Sequence, residues 1–293
     1  MTQRNCHERL RSSSAMKRVH PSADWPESWR RSYECDLQEI YGQVRNRGYF
    51  YAYDARRRNA LALLTEALSP GARIIDIGAA QGNFSLLLAE MGFDVTWNDL
   101  RGELVDYVRL KHERGALHFA VGNAFELRFA TTFDAVLIAE IIEHVAHPDQ
   151  LLLKAARLVR PGGYIVMTTP NGGYLRNRLP RFSDCPDPSV FESVQFKPDS
   201  DGHIFLLHTD EVHQLAGKSG LQIDGLRLFT NSLTNGHMKL SHALRVLPRS
   251  LVERVERLTQ RLPPVIARRL LVQMAVRMKK PDATARAALA TAA

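Results

Sequence analysis

Between residues 72 and 170 the chain alternates short apolar runs with amphipathic stretches, and this alternation limits the available folds more than any other feature. ARIIDIG (72–78), DVTWND (94–99), LHFAVGNA (117–124), FDAVLIAE (133–140) and YIVMTTP (164–170) read as strands. GNFSLLLAEMG (82–92), RGELVDYVRLKHERG (101–115) and PDQLLLKAARLVRPGG (148–163) read as helices, the last begun by Pro148 and stopped by Pro161-Gly162-Gly163. Strand–helix alternation at this spacing predicts an α/β chain with a parallel sheet covered by helices on both faces. From 171 to 208 the pattern gives way to Gly, Pro, Asp and aromatic residues, a length expected of a lid or substrate-binding insertion. Thr209 is placed to cap a helix over DEVHQLAGKSG, and LQIDGLRLFT (221–230) reads as another strand. Across 238–262, Leu247, Leu251, Val255, Leu258 and Leu262 recur at helical spacing and predict one or two helices. RRLLVQMAVRMKK alternates strictly, with Leu270, Val272, Met274, Val276 and Met278 on one face, and predicts a final antiparallel strand.

The domain plan follows: a flexible basic N-terminus over 1–30, one domain over 31–280 with insertions at about 171–208 and 236–265, and a flexible tail over 281–293. Met16 opens a plausible alternative start. No run of 18 apolar residues is present, so no spanning segment is expected, and the N-terminus lacks the apolar stretch of a secretion signal. Cys6, Cys35 and Cys185 are odd in number and widely spaced, as expected of reduced thiols in the cytoplasm. The net charge of +8 resides at the ends: +3 over 1–35 and +9 over 236–293, against −4 between. Basic ends suit RNA, anionic lipid or plain solvent.

IIDIGAAQGNFS (74–85) is a strand, a glycine-containing turn and a helix start. Gly78 and Gly82 allow close backbone approach to a ligand, and the helix start offers unpaired N–H groups. Ala80 stands where a G-x-G-x-x-G fingerprint needs its middle glycine, and no Gly-Lys-Ser/Thr follows to make a triphosphate loop. Asp99 ends the second strand about twenty residues beyond Gly78, where a carboxylate can accept two ribose hydroxyls.

IIDIGAAQGNFS, VTWNDL, VGNAFEL, FDAVLIAEIIEHV and LVRPGGYIVMTTPN, in that order, resemble the class I S-adenosylmethionine-dependent methyltransferases over about residues 55–230. The resemblance implies a Rossmann-like, doubly wound, seven-stranded and mostly parallel sheet, with the last strand antiparallel and insertions after strand 5 and between strands 6 and 7. It implies S-adenosyl-L-methionine as cofactor, with Asp76 beneath the methionine moiety, Gly78, Ala79 and Gly82 beneath the adenosyl group, Asp99 at the ribose, and Asn123 and Ala124 at the adenine. Asn123 departs from the family's usual Asp, and its carbonyl oxygen can still meet an adenine amino group. Tyr49, Tyr51 and Tyr53 precede the first core helix and read either as a cover over the cofactor or as an edge strand.

Glu140, Glu143 and His144 follow the fourth strand at helical spacing, which would set three acid–base or metal-capable groups on one face. The E-x-x-E-H pattern resembles two subgroups, one methylating small-RNA terminal 2′-hydroxyls and one a catechol hydroxyl in ubiquinone biosynthesis. In both, these residues join a histidine from the loop after strand 5 to hold a divalent ion. His203 fits that position, with His208 as rival, so the implied metal set is Glu140, Glu143, His144 and His203, holding Mn²⁺, Mg²⁺ or Zn²⁺. Three readings stay open: this metal site, His144 as a metal-free general base beside Glu143, and a structural role.

Arg176, Arg178 and Arg181 would give the 171–201 segment a basic rim. The acceptor expected is a hydroxyl of a small-molecule, lipid-linked or glycan compound. SLVERVERLTQRL, within 238–262, would suit peripheral membrane contact or packing on the domain or a second subunit. An RNA 3′ end and a catalytically silent cofactor-binding or assembly protein are the alternatives. Localisation is expected to be cytoplasmic, with membrane-peripheral attachment as an option.

Overall fold

The computed structural model describes residues 16–41, 43, 46–195, 202–235 and 242–282. Cys6, the first fifteen residues and the tail from 283 lie outside them, as do residues 236–241 of the second insertion. Of the region expected to be loose, residues 16–30 are mostly exposed but are tied to the body at three points. Met16, Val19 and Trp25 are buried; Trp25 meets Trp29, Tyr33 and Tyr107 edge-on at 5.7 Å, and Trp29 meets Tyr107 in tilted contact. Aromatic edges of this kind stabilise beyond the area they bury, which periodicity alone does not register.

Helices α1 (Glu27–Glu39) and α2 (Arg47–Ala67) lead into the alternating core. It runs β1 (Arg73–Ile77), α3 (Asn83–Glu90), β2 (Asp94–Asp99), α4 (Leu104–Lys111), β3 (Ala116–Val121), β4 (Phe133–Ala139), α5 (Pro148–Leu158) and β5 (Val159–Pro170). After the first insertion come α6 (Thr209–Lys218) and β6 (Gln222–Asn231); after the second, with α7 (Ala243–Val246), α8 (Arg249–Thr259) and α9 (Pro264–Leu270), comes β7 (Leu271–Lys279). The seven strands lie in the order β3-β2-β1-β4-β5-β7-β6, all parallel except β7, which is antiparallel to both its neighbours.

Alternate strand residues feed two cores. Val136 and Ile138 of β4 join Leu152 and Ala155 of α5 and Val212 and Leu215 of α6 on one face. Ala135 and Leu137 join Leu61 and Leu64 of α2, Leu87 of α3 and Val108 of α4 on the other. Both faces are covered, as a parallel sheet requires.

Four boundaries differ from expectation. The helix read over 148–163 ends at Leu158, because Val159 already pairs with Phe133 and the Pro-Gly-Gly segment is a bulge within β5. Residue His208, not Thr209, is the N-cap of α6, with the Glu211 carboxylate accepting from the His208 backbone N–H at 2.8 Å. The second insertion carries three helices, the last running to Leu270, so it extends beyond 265. Tyr49, Tyr51 and Tyr53 lie within α2, so the edge-strand reading is wrong: Asn46 caps this helix through the Tyr49 N–H, and a run of good helix formers carries it to Ala67.

Candidate functional site

Strand order reverses direction between β1 and β4, and the crevice beyond the strand ends at such a point is where open α/β sheets take ligands. A cavity of ≈ 810 Å³ lies there. Gly78, Asp99, Asn123, Ala124, Glu140 and His144 line it, so six of the residues singled out in the sequence converge. Ile77, Asn98, Leu100, Arg101 and Phe125 complete that end, and His147, Gln150, Lys154, Glu192 and Gln195 extend the other.

The glycine turn is shaped by need. Gly78 has φ +65°, and a Cβ there would lie 2.3 Å from Ile141; at Gly82, with φ +77°, one would lie 2.8 Å from Val108. Left-handed backbone and close packing both call for glycine. Ala79 lies behind the cavity wall, its N–H donating to the Asn98 carbonyl at 2.9 Å. Asp76 sits beneath the turn, buried, accepting from the Ser85 hydroxyl at 2.6 Å. Burial pushes its carboxyl up to about 7.

Asp99 is almost wholly buried and accepts four hydrogen bonds. Oδ1 takes the Arg101 N–H at 2.9 Å and Arg101 Nε at 3.0 Å; Oδ2 takes the Ala80 N–H at 2.8 Å and Arg101 Nη2 at 3.1 Å. Asn98, which sequence reading passed over, donates from Nδ2 to the carbonyls of Ala120 and Gly122 and so fixes the ends of β2 and β3. Asn123 faces the cavity, but its carbonyl oxygen already accepts from the Phe125 N–H at 3.1 Å, while Nδ2 donates to Glu126. The side-chain contact expected between that oxygen and an adenine therefore competes with a local turn.

The acidic cluster is not a helix face. Glu140 stands alone in left-handed backbone with φ +55°, and only Ile142–His144 make a single 3₁₀ turn. Glu140, Glu143 and His144 thus reach the site through a strained corner, and such strain collects at functional sites. Glu143, His144 and His203 offer ligand atoms all within 4.8 Å of one another. Their placement is enforced: the Ile204 N–H donates to the Glu143 carbonyl at 2.7 Å, and the His144 and His203 rings meet edge-to-face at 4.8 Å. Glu140 is not in that trio. Its Oε2 pairs with Arg56 of α2 at 3.1 Å, a partner far away in sequence that no local spacing could disclose. His208, the rival to His203, is not among the residues whose ligand atoms come together there.

Glu143 is fully buried; Oε2 accepts from the Thr169 hydroxyl at 3.1 Å, and Oε1 has no hydrogen-bond partner. Burial first, and then the nearby charge of Glu140, push its carboxyl well above the usual range. A buried carboxylate oxygen without a donor is costly, and an imidazole pair beside it makes a donor set that fits a divalent ion of the Mn²⁺ or Zn²⁺ type.

Above the cavity the 3₁₀ segment Pro188–Val194 of the first insertion is held by Glu192 to His147 at 2.8 Å and by Gln195 to the Ala146 N–H at 3.1 Å. Of the expected basic rim, Arg181 instead pairs with Asp210 and Glu211 of α6; Arg176 and Arg178 remain exposed.

A family model described as a methyltransferase domain matches residues 48–225. A ubiquinone biosynthesis O-methyltransferase of Xanthomonas oryzae pv. oryzae is 36% identical over 105 residues, 34% of this chain and 44% of that one. One of Aromatoleum aromaticum is 33% identical over 108 residues, 36% and 46% of the two chains. The chain thus spans less than half the length of these curated relatives. Among solved structures, an S-adenosylmethionine-dependent methyltransferase from Mesorhizobium loti superposes with TM-score 0.51 at 16% identity, covering 78% of this chain and 97% of that one. The N-methyltransferase NodS of Bradyrhizobium japonicum, in complex with S-adenosyl-L-homocysteine, does so at 0.51 and 12% identity, covering 88% and 100%. At those identities the likeness speaks to fold alone.

Proposed function

Because the chain belongs to the methyltransferase-domain family, we propose that it transfers the methyl group of S-adenosylmethionine to a hydroxyl of a small-molecule, lipid-linked or glycan acceptor with help from a divalent ion. Measured methyl transfer would eliminate the catalytically silent reading. The observation carrying the proposal is the trio Glu143, His144 and His203, with an unpartnered buried Glu143 oxygen at its centre.

Methyl transfer from a sulfonium is an in-line displacement: the C–S bond breaks as the C–O bond forms, and the acceptor hydroxyl gives up its proton. The leaving thioether needs no assistance; a neutral hydroxyl is a poor nucleophile and does. Glu143, His144 and His203 would hold the ion, which supplies a lowered hydroxyl pKa and an anchor for two vicinal oxygens. The protein does the rest. Asp99 offers its carboxylate to the ribose, the glycine turn passes beneath the adenosyl group, and Thr169 orients the Glu143 carboxylate. The 188–194 segment, latched by Glu192 and Gln195, narrows access for water.

The test is methyl transfer from tritiated S-adenosylmethionine to a simple catechol, a vicinal sugar diol and a short RNA. Transfer to a diol that stops with chelator and in a His203→Ala variant supports the proposal. Transfer confined to RNA would move the same cluster to the 2′-hydroxyl reading, and chelator-resistant transfer would return His144 to the role of metal-free base.

A further inference from the structure

Helix α9 is anchored to the body by a single side chain. Ala267 is buried, whereas Val265 is 78% exposed and Ile266 and Leu270 also face solvent. Beside it, the loop leaving β5 exposes Leu175 and Leu179. Two hydrogen bonds join these stretches: the Leu175 N–H donates to the Arg269 carbonyl at 2.9 Å, and Asn171 Nδ2 donates to the Arg268 carbonyl at 2.9 Å. Five aliphatic side chains therefore share one region of surface, more than scattered exposure would give.

The same stretches, 171–180 and 261–270, contain five arginines (176, 178, 261, 268 and 269) and neither Asp nor Glu. Among the described residues none of the five is paired with a carboxylate. A second copy in a two-fold arrangement would set these arginines against their own equivalents. Nucleic acid would satisfy the charge but leave the aliphatic groups in water, and the sole aromatic of the two stretches, Tyr174, is buried rather than offered for stacking. An anionic bilayer satisfies both, because aliphatic side chains enter the headgroup boundary while guanidinium groups meet phosphates.

We propose that the face made by Leu175, Leu179, Val265, Ile266 and Leu270, with its surrounding arginines, docks the protein on anionic lipid. This surface is distinct from the stripe expected in 238–262: that helix turns Val252 and Glu256 to the body, Glu256 accepting from the Thr234 hydroxyl at 2.7 Å, and leaves Leu251 and Leu258 of the stripe exposed. The inference holds whatever the acceptor proves to be. The loop begins two residues beyond Thr169, which touches Glu143, and so links this face to the site. A lipid-anchored acceptor would reach the site from this side.

The experiment is sedimentation of the full chain with vesicles of phosphatidylcholine alone and of phosphatidylcholine with about one-third phosphatidylglycerol. Binding is expected to the anionic vesicles and to fall about tenfold in their absence or in high salt. The doubles Val265→Asp/Ile266→Asp and Arg268→Glu/Arg269→Glu should each reduce binding by about tenfold or more. S-adenosylhomocysteine binding, measured on the same samples, should stay unchanged and shows the variants folded. The proposal is overturned by equal binding to both vesicles, by no binding, or by variants that bind like the parent. A dimer that the Val265→Asp/Ile266→Asp variant dissolves, or tight binding to an RNA oligonucleotide indifferent to that variant, would equally overturn it.

Discussion

Every acceptor position of Asp99 is filled before any cofactor arrives. An ionised carboxylate offers about four lone-pair positions, and two backbone N–H groups and two bonds from the Arg101 guanidinium use them. The backbone donors are fixed by the glycine turn and the start of the next helix, whereas the Arg101 side chain is half-exposed and free to swing. Ribose hydroxyls at Asp99 must therefore displace Arg101. Removing that competition in an Arg101→Ala variant should tighten S-adenosylhomocysteine binding by about two- to fivefold, the worth of a half-exposed pair. Calorimetry checks it; looser binding would mean that Arg101 stays and supports the cofactor. An Asp99→Ala variant that still binds would instead remove the ribose from Asp99.

At the scale of elements, α1 is clamped to the glycine-turn side of the sheet by buried charge. Lys111 of α4 donates to Asp36 at 2.7 Å and to Asn83 at 2.9 Å, and Tyr107 adds its hydroxyl to Asp36 at 2.7 Å. Asn83 and Gln81, at the start of α3, reach Glu39 at 3.0 and 2.9 Å. The Lys111–Asp36 pair has no solvent contact, and burial pulls the ammonium below its ordinary range while Asp36 opposes that. Breaking one half of such a pair leaves a stranded charge, so Lys111→Met should lower unfolding free energy by about 3 kcal/mol or more. Denaturant titration measures it, and a near-neutral result would mean the network is not fully dry. None of this was legible in the sequence, where α1 fell within or beside a stretch read as loose. Strands β1 and β4 were legible because a strand buried on both faces is apolar along its length, and the edge strand β3 was legible from its place in the strand–helix alternation. The helix stop at Leu158 was not, because Pro161-Gly162-Gly163 serves a bulge rather than a cap. The cluster Glu143, His144 and His203 could be anticipated from motif order, but Arg56 opposite Glu140 could not, since a contact between α2 and the end of β4 carries no local signature.

For the molecule as a whole, one crevice and one surface carry the proposals made above. The crevice brings Gly78, Asp99 and Asn123, at the ends of β1, β2 and β3, to the same sheet edge as the Glu143 trio behind β4. The apolar, arginine-rich face stands at the exit of β5. No helix among the described residues is long and apolar enough to cross a membrane; the lipid contact we propose is peripheral, through that face. On the function proposed above, the trio holds a divalent ion, and calorimetric titration of Mn²⁺ into protein saturated with S-adenosylhomocysteine, alongside Glu143→Ala and His203→Ala, is the decisive measurement. The expected result is about one ion per chain in the parent and at least about tenfold weaker binding in both variants. Parent protein that binds no Mn²⁺ with cofactor in place, or variants that bind as well as the parent, would contradict it.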